Sequence, residues 1–151
     1  MPDLTDLDED VQGHFRLAIG FLATAVITPL STECEVRNAV SRSFYALLHV
    51  CHAWVAMPPR NVQASKRKQK KDLYFQISDH RGDESRKRLK RFEVERDKAD
   101  YRPEMFTGDE ERFRLAGLEA TEEMRAEFNA YFRDVIEFVG EASDAGKDDN
   151  A

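Results

Sequence analysis

The sequence predicts an all-α fold, an antiparallel bundle of four main helices plus one short helix. Apolar residues recur three and four positions apart over long stretches, and no stretch shows the period-two alternation of a strand. Glycine and proline are scarce, at 7 and 5 of 151 residues, and short connections favour packing between successive helices. The length and the 41% hydrophobic content fit one globular domain. We expect a helical domain over residues 1–141 and a flexible acidic tail over residues 142–151.

The first two helices are predicted over residues 7–28 and from about residue 33 to residue 56. The first has apolar residues at helical spacing and ends at Pro29: Leu7, Val11, Phe15, Ile19, Leu22 and Val26. Ser31 or Thr32 caps the second, and acidic residues in its first turn complement the helix dipole. The pair Pro58-Pro59 follows its end.

The central part of the chain is predicted to contain a loop, a short helix and the third main helix. The stretch "NVQASKRKQKK" is polar and favours a loop, "DLYFQISDH" suits one or two helical turns, and "RGD" favours a turn. The third main helix covers roughly residues 84–101, before Pro103. The fourth begins at "TGDEER" and has this apolar side: Phe113, Leu118, Met124, Phe128, Phe132, Val135 and Val139.

Charge is unevenly distributed along the chain. Residues 60–102 hold fifteen Lys and Arg against eight Asp and Glu, whereas the whole chain has a net charge of −6. A basic central segment can face phosphate groups, or it can pair with acidic faces of the same chain or of a second subunit.

No apolar run is long enough to span a membrane, and the acidic beginning of the chain does not resemble a targeting peptide. We therefore expect a cytoplasmic protein that does not enter a membrane, with Cys34 and Cys51 as reduced thiols.

The second helix carries a polar face that differs from ordinary solvent-facing dressing. Opposite its apolar side, one arc of the helix presents an amide, an arginine, a tyrosine and two histidines: Asn38, Arg42, Tyr45, His49 and His52. These residue types can hold phosphate, stack on a base or move a proton. The alternative is an interface within the chain or between two copies, where Arg and Tyr are also frequent. His49 and His52 lack accompanying acidic or cysteine ligands, so we predict no metal site and no cofactor.

The third helix places an arginine on its apolar side. Arg96 lies in the middle of the face formed by Leu89, Phe92 and Ala99. An isolated guanidinium there is costly unless a partner is present. A salt bridge to Asp100 at i+4 would satisfy it structurally. The other interpretation is that Arg96 faces a polar pocket shared with the second helix, where it is available to a phosphate.

Two segments together resemble the HEPN superfamily, small all-α domains named for higher eukaryotes and prokaryotes nucleotide-binding. The stretch "RNAVSRSFYALLHVCHAWV", residues 37–55, is similar to the S-R-x-Y-Y-A-x-x-H helix of a large prokaryotic HEPN group. It matches at Ser41, Arg42, Tyr45, Ala46 and His49, with Phe44 in place of the first tyrosine. The stretch "ERDKADY", residues 95–101, resembles the R-x-x-A-D-Y signature of that group at Arg96, Ala99, Asp100 and Tyr101.

The resemblance implies a HEPN-like bundle, commonly a homodimer, whose relatives include metal-independent ribonucleases of toxin–antitoxin and antiviral defence systems. Their catalytic signature is R-x4-6-H, often with a polar residue after the arginine, as Asp97 is here. Tyr101 stands where the histidine would fall, and no histidine occurs after His80. A tyrosine with a pKa near 10 is a poor base at neutral pH, which argues for weak or absent activity unless His49 reaches the same pocket.

Three functional hypotheses follow from these residues. In the first, the chain is a metal-independent endoribonuclease that binds the phosphate with Arg96 and Arg42 and uses His49 as acid or base. A basic segment guides the RNA to this site: Lys66, Arg67, Lys68, Lys70 and Lys71. In the second, the same face is a non-catalytic module that binds RNA, a nucleotide or a partner protein such as an antitoxin. In the third, a partner nucleotidyltransferase modifies Tyr101, as the resemblance allows.

Overall fold

The computed structural model describes residues 8–101 and 119–149, with side chains described for 8–100, 119–138 and 140. These ranges contain five α-helices and no strand: α1 Glu9–Ile27, α2 Glu33–Ala56, α3 Lys70–Arg81, α4 Asp83–Tyr101 and α5 Glu122–Asp149. A 3₁₀ turn, Ala64–Lys66, lies between α2 and α3. The predicted all-α class is confirmed for this part of the chain. In the same ranges, no helix combines the length and the apolar character that crossing a membrane requires.

Helix α2 is the central element of the fold, since it packs against each of the other four helices. A reciprocal pair of hydrogen bonds between Thr32 and Glu35 caps its start, as the sequence predicts for the Thr32 alternative. Its predicted apolar side is in the core, and Val36, Phe44 and Leu47 are fully buried. Core side chains from the other helices close around it: Leu73, Ile77, Leu89, Phe92, Met124, Phe128, Val135 and Phe138.

Helix α1 packs on α2 through a face that overlaps the predicted one only in part, since Val11 is buried as predicted. The residues that it buries are small and lie seven apart: Val11, Ala18 and Ala25. Ile19 and Val26, which were predicted to face the core, are 42% and 67% exposed. The buried line is rotated by roughly an eighth of a turn from the centre of the apolar stripe. The physical reason lies in α2, whose polar face presents large rings to α1, so that small side chains make the close approach.

The connection between α2 and α4 is more helical than predicted. Helix α3 begins at Lys70, inside the stretch predicted as a loop, and it has twelve residues, or about three turns. Reciprocal hydrogen bonds between Gln69 and Asp72 cap its start. Gly82 then has a φ of 97°, in the left-handed region that favours glycine, and separates α3 from α4 at the predicted turn.

Helix α5 buries the predicted apolar residues that lie in the described ranges, Met124, Phe128 and Val135, while Phe132 is partly buried. The predicted start of this helix at "TGDEER", with Phe113 and Leu118, lies outside the described residues, as does the side chain of Val139. The backbone remains helical to Asp149, through most of the segment predicted as a tail. No proline interrupts that segment.

Arg37 joins the start of α2 to the end of α4. Its guanidinium donates to the backbone carbonyls of Lys98 and Ala99, both at 3.0 Å. It also forms an ion pair with Glu33 at 3.0 Å, and both partners are buried. The last carbonyls of a helix have no partner within the helix, so Arg37 acts as the C-terminal cap of α4.

We predict that Arg37→Met lowers the free energy of unfolding by about 3 kcal/mol, because it leaves a buried Glu33 carboxylate and two carbonyls without a donor. Urea unfolding followed by circular dichroism measures this loss. Arg16→Met is the matched control, because Arg16 is exposed and its hydrogen bond is made to Gln12 on its own helix. Equal effects of the two changes would contradict the capping role of Arg37.

Candidate functional site

The polar face of α2 is covered by α1, which runs antiparallel to it. His14 of α1 contacts His49 and His52 in the C-terminal half of α2, whereas Phe21 contacts Tyr45 further towards the start of α2. Two groups of residues result. We call Phe21, Arg42, Tyr45 and Arg96 the arginine site, and Asp10, His14, His49, His52 and Arg67 the histidine cluster.

Arg96 lies where the sequence predicted, on the buried side of α4. Its side chain is 11% exposed, and it forms ion pairs with Asp100 and Asp97, both at 3.0 Å. The structural salt bridge to Asp100 is therefore present. The guanidinium also lies over the rings of Phe44 and Tyr45, at 5.5 and 5.7 Å from their centres. Burial disfavours its charged form, but the hydrogen bond to Asp100 and the nearby negative charges outweigh burial and raise the pKa of Arg96.

Arg42 lies beside a second aromatic pair, Phe21 and Tyr45. Its guanidinium is 5.7 Å from the centre of the Phe21 ring, and the Phe21 and Tyr45 rings are 5.7 Å apart. The Nε atoms of Arg42 and Arg96 are both buried and have no hydrogen-bond partner among the described residues. No described carboxylate forms an ion pair with Arg42. The arginine site therefore holds two guanidiniums beside two aromatic rings in contact, and Arg42 retains donor capacity.

The histidine cluster surrounds a buried guanidinium. Arg67 is 4% exposed, and its NH1 atom lies 3.2 Å from Nε2 of His14 and 3.0 Å from Nδ1 of His52. It also forms an ion pair with Asp10 and donates to the carbonyl of Val62. The His14 and His52 rings are stacked with centres 4.6 Å apart.

The guanidinium determines the proton positions on the three imidazoles. Because arginine only donates, Nε2 of His14 and Nδ1 of His52 must both accept. Neutral His14 then carries its proton on Nδ1 and donates it to Nδ1 of His49, 2.9 Å away. His49 accordingly carries its proton on Nε2. Burial lowers the pKa of His14 and His49, and burial with the neighbouring charges of His14 and Arg67 lowers the pKa of His52 to about 4.

The rings of Tyr45 and Phe21 lie between Arg96 and His49. Arg96 lies over Tyr45, Tyr45 contacts Phe21, and the Phe21 and His49 rings stack with centres 5.6 Å apart. The two predicted catalytic residues therefore belong to one continuous row of side chains along α2, but no direct contact between them is present. A ligand that reaches both must extend along this row.

The other predicted residues are spread around the two groups. Asn38 is exposed at the start of the polar face, and Asp97 is engaged by Arg96. Tyr101 is the last residue of α4, and its side chain lies outside the described ones. The lysines of the basic segment are exposed, although Lys70 pairs with Glu93 at 2.6 Å: Lys66, Lys68, Lys70 and Lys71.

The structure corrects the prediction for Arg67, which was assigned to the basic segment. We expected it to guide RNA with the neighbouring lysines, but it is buried and all its described partners are within the chain. A guanidinium in this position is enclosed by acceptors and cannot reach a ligand at the surface. Its role is to hold the histidine cluster together.

Sequence reasoning missed the contribution of α1. Asp10, His14 and Phe21 were not among the predicted site residues, although His14 and Phe21 lie seven apart and so share one face of the helix. The spacing of His14 and Phe21, considered together with the two histidines of α2, was the signal that could have predicted this contact. It was hidden because the apolar stripe of α1 appeared to define the packing face.

No group of His, Cys, Asp or Glu in the described ranges is arranged to hold a metal ion. In the histidine cluster, the guanidinium of Arg67 occupies the space towards which two imidazole lone pairs point. The cluster thus already contains a cation, which the protein itself supplies.

A concave region lies between α4 and α5. Its volume is about 650 Å³, and Phe92 and Tyr131 are among its lining residues. Its α4 side includes Lys90 and Arg91, whereas its α5 side includes Asp134 and Glu137. Walls of opposite charge suit a polyanion less well than the arginine site does.

Comparisons of this chain with protein-family models, curated proteins and solved structures find no match. The function is therefore inferred from the residues of the chain itself.

We predict that Arg96→Met leaves the helical circular dichroism signal unchanged and lowers the free energy of unfolding by only about 1 kcal/mol, because the ion-pair carboxylates are partly exposed. Methionine retains an apolar stem beside Phe44 and Tyr45. Urea unfolding at neutral pH measures the effect. A loss as large as that expected for Arg37→Met would show that Arg96 is primarily a structural residue.

Proposed function

We propose that this chain is a HEPN-type domain that binds RNA or a nucleotide through the arginine site, as a component of a toxin–antitoxin or antiviral defence system. The observation that carries the proposal is the placement of Arg42 and Arg96 around Phe21 and Tyr45. Guanidiniums bind phosphate through paired donors, and aromatic rings stack on bases. A nucleotide offers both groups on one molecule.

The packing of the two motif-bearing helices supports the HEPN-type interpretation. Arg37 binds the end of α4, and the Ser41 hydroxyl lies 3.5 Å from a carboxylate oxygen of Asp100. Ser41 of the first signature thus lies near Asp100 of the second, 59 positions away in the sequence, and Tyr45 lies beneath the guanidinium of Arg96. The antiparallel bundle and the homodimer that the resemblance implies are part of the same proposal.

The charge around the site also supports binding to an anion. Lys66 and Lys68 are exposed on the connection that leads from α2 into α3, and Lys71 is exposed in the first turn of α3. Lys70 forms an ion pair with Glu93, which precedes Arg96 by three residues on α4. The lysines can therefore contribute phosphate contacts next to the arginine site, with an affinity that falls as salt rises.

Metal-independent cleavage of RNA is the second candidate function. It is favoured by one observation, the lowered pKa of His49, which keeps the imidazole neutral at pH 7. Against it, Nδ1 of His49 already accepts a hydrogen bond from His14, and Nε2 carries the proton. In this tautomer, His49 donates a hydrogen bond to a ligand more readily than it removes a proton.

We predict that Arg42→Gln and Arg96→Gln each weaken RNA binding by about tenfold, because each removes a charge-assisted contact worth about 1.4 kcal/mol or more. Fluorescence anisotropy with a labelled single-stranded RNA in EDTA measures the dissociation constant. Lys90→Gln is the control, since it removes the same charge from an exposed position on α4. If the control weakens RNA binding as much as the two site variants do, the loss of affinity reflects the net charge of the protein, and the arginine site is not the binding site.

We further predict that the purified protein binds RNA in EDTA at micromolar concentration without cutting it. The first reason is that Nδ1 of His49 accepts a hydrogen bond from His14 and so cannot take a proton from RNA. The second is that Tyr101 stands at the position of the motif histidine. Gel analysis of a panel of RNAs, with assay of the product ends, measures this. Products with 2′,3′-cyclic phosphate ends that disappear in His49→Asn would instead establish the ribonuclease function.

A further inference from the structure

Three elements of the chain meet at the histidine cluster. Asp10 and His14 come from α1, His49 and His52 from α2, and Arg67 from the connection before α3. These five are the charged and titratable groups that face one another there, and they include three of the four histidines of the chain. His80, the fourth, lies on α3 and is exposed.

The geometry of the cluster requires neutral imidazoles. The guanidinium of Arg67 can only donate, so the two ring nitrogens within 3.2 Å of it must keep their lone pairs. Protonation of either nitrogen replaces a hydrogen bond with two hydrogens that face each other between two cations. The His14–His49 contact at 2.9 Å likewise needs one nitrogen without a proton.

The charge balance leads to the same requirement. With neutral histidines, the cluster holds one cation, Arg67, and one anion, Asp10. Full protonation would place four positive charges around that single carboxylate. Like charges at these separations repel, and the buried Arg67 side chain cannot move into water without leaving the cluster.

We propose that the histidine cluster is a pH-sensitive clasp, which holds α1 and the connection 57–69 against α2 when its imidazoles are neutral and releases them when acid protonates the imidazoles. Helix α1 depends on this contact, because it packs mainly against α2. The connection depends on it as well, because Arg67 also donates to the carbonyl of Val62 in the same connection. The clasp requires no ligand and is independent of the proposed function.

The direction of the pH dependence follows from the lowered pKa values. Unfolded histidines titrate near pH 6.5, whereas burial lowers the pKa of all three in the fold, that of His52 to about 4. As the pH falls through 6.5, the histidines of the unfolded or opened chain therefore bind protons, whereas those of the closed cluster do not. Stability from the cluster is complete above about pH 7 and is lost progressively as the pH falls towards 4.

The test compares urea unfolding at pH 7.5 and pH 5.0. For the unaltered protein, we expect the midpoint to fall by about 1 M or more over this range. In the double variant His14→Gln, His52→Asn, amide oxygens can take the places of the two accepting nitrogens without titrating, so the midpoint should fall by less than half as much. His80→Gln is the matched control and should behave as the unaltered protein. An equal fall in the double variant would overturn the proposal.

A second measurement on the unaltered protein keeps the proposal testable if the double variant does not fold. Imidazole ¹⁵N shifts measured by NMR across the same pH range report both titration and tautomer. We expect His14 to carry its proton on Nδ1 and the three cluster histidines to titrate below pH 6.5, the value for an unfolded histidine. Cluster histidines that titrate near pH 6.5 would overturn the clasp.

Amide exchange distinguishes local release from general acid unfolding. When rates are normalised to unfolded peptides at each pH, we expect protection in α1 to fall by tenfold or more between pH 7.5 and 5.0, with a smaller loss in the middle of α2. Equal losses in α1 and α2 would overturn the proposal of a local clasp.

Discussion

The buried guanidinium is the physical constraint on which this structure depends. An arginine side chain has five donors and no acceptor, and when it is removed from water it must find acceptors elsewhere in the chain. Arg37 finds them at the end of α4, and Arg67 finds them on α1 and α2. Because these acceptors lie on other elements, each arginine fixes the relative position of two or three helices. Apolar packing makes the core, and the arginines determine which helix ends meet.

The same constraint produces the candidate site. Arg37 holds the last turn of α4 against the start of α2, and that turn carries Asp97 and Asp100, the partners of Arg96. At the other end of the polar face, Arg67 holds α1 so that Phe21 stacks on His49 and contacts Tyr45. The arginine site is therefore the region between two structural arginines. Its own arginines differ from these, since Arg42 lies over the Phe21 ring without an ion pair to any described carboxylate, and Arg96 has partners that are partly exposed.

The sequence predicted the features that depend on local periodicity. The all-α class, the extent of α2 and α4, and the inward position of Arg96 all follow from spacing along one helix, and the structure agrees with them. The packing face of α1 and the burial of Arg67 could not be predicted in this way. Each depends on which side chains a different element presents, and periodicity within one segment does not contain that information. The expectation for Arg67 failed because the Lys-rich stretch appeared uniformly exposed. The three acceptors of its guanidinium, Asp10, His14 and His52, lie on α1 and α2.

The unequal partners of Arg42 and Arg96 determine how a phosphate group could enter the arginine site. Arg96 is already neutralised by two carboxylates, so an anion must displace at least one of them before Arg96 can bind it. Arg42 has no described carboxylate partner, and its charge attracts an anion without such an exchange. A phosphate would therefore meet Arg42 first, and the exchange at Arg96 would set the final affinity. Because that exchange moves Asp100, which also lies close to the Ser41 hydroxyl, binding at the arginine site would be transmitted to the contact between α2 and α4.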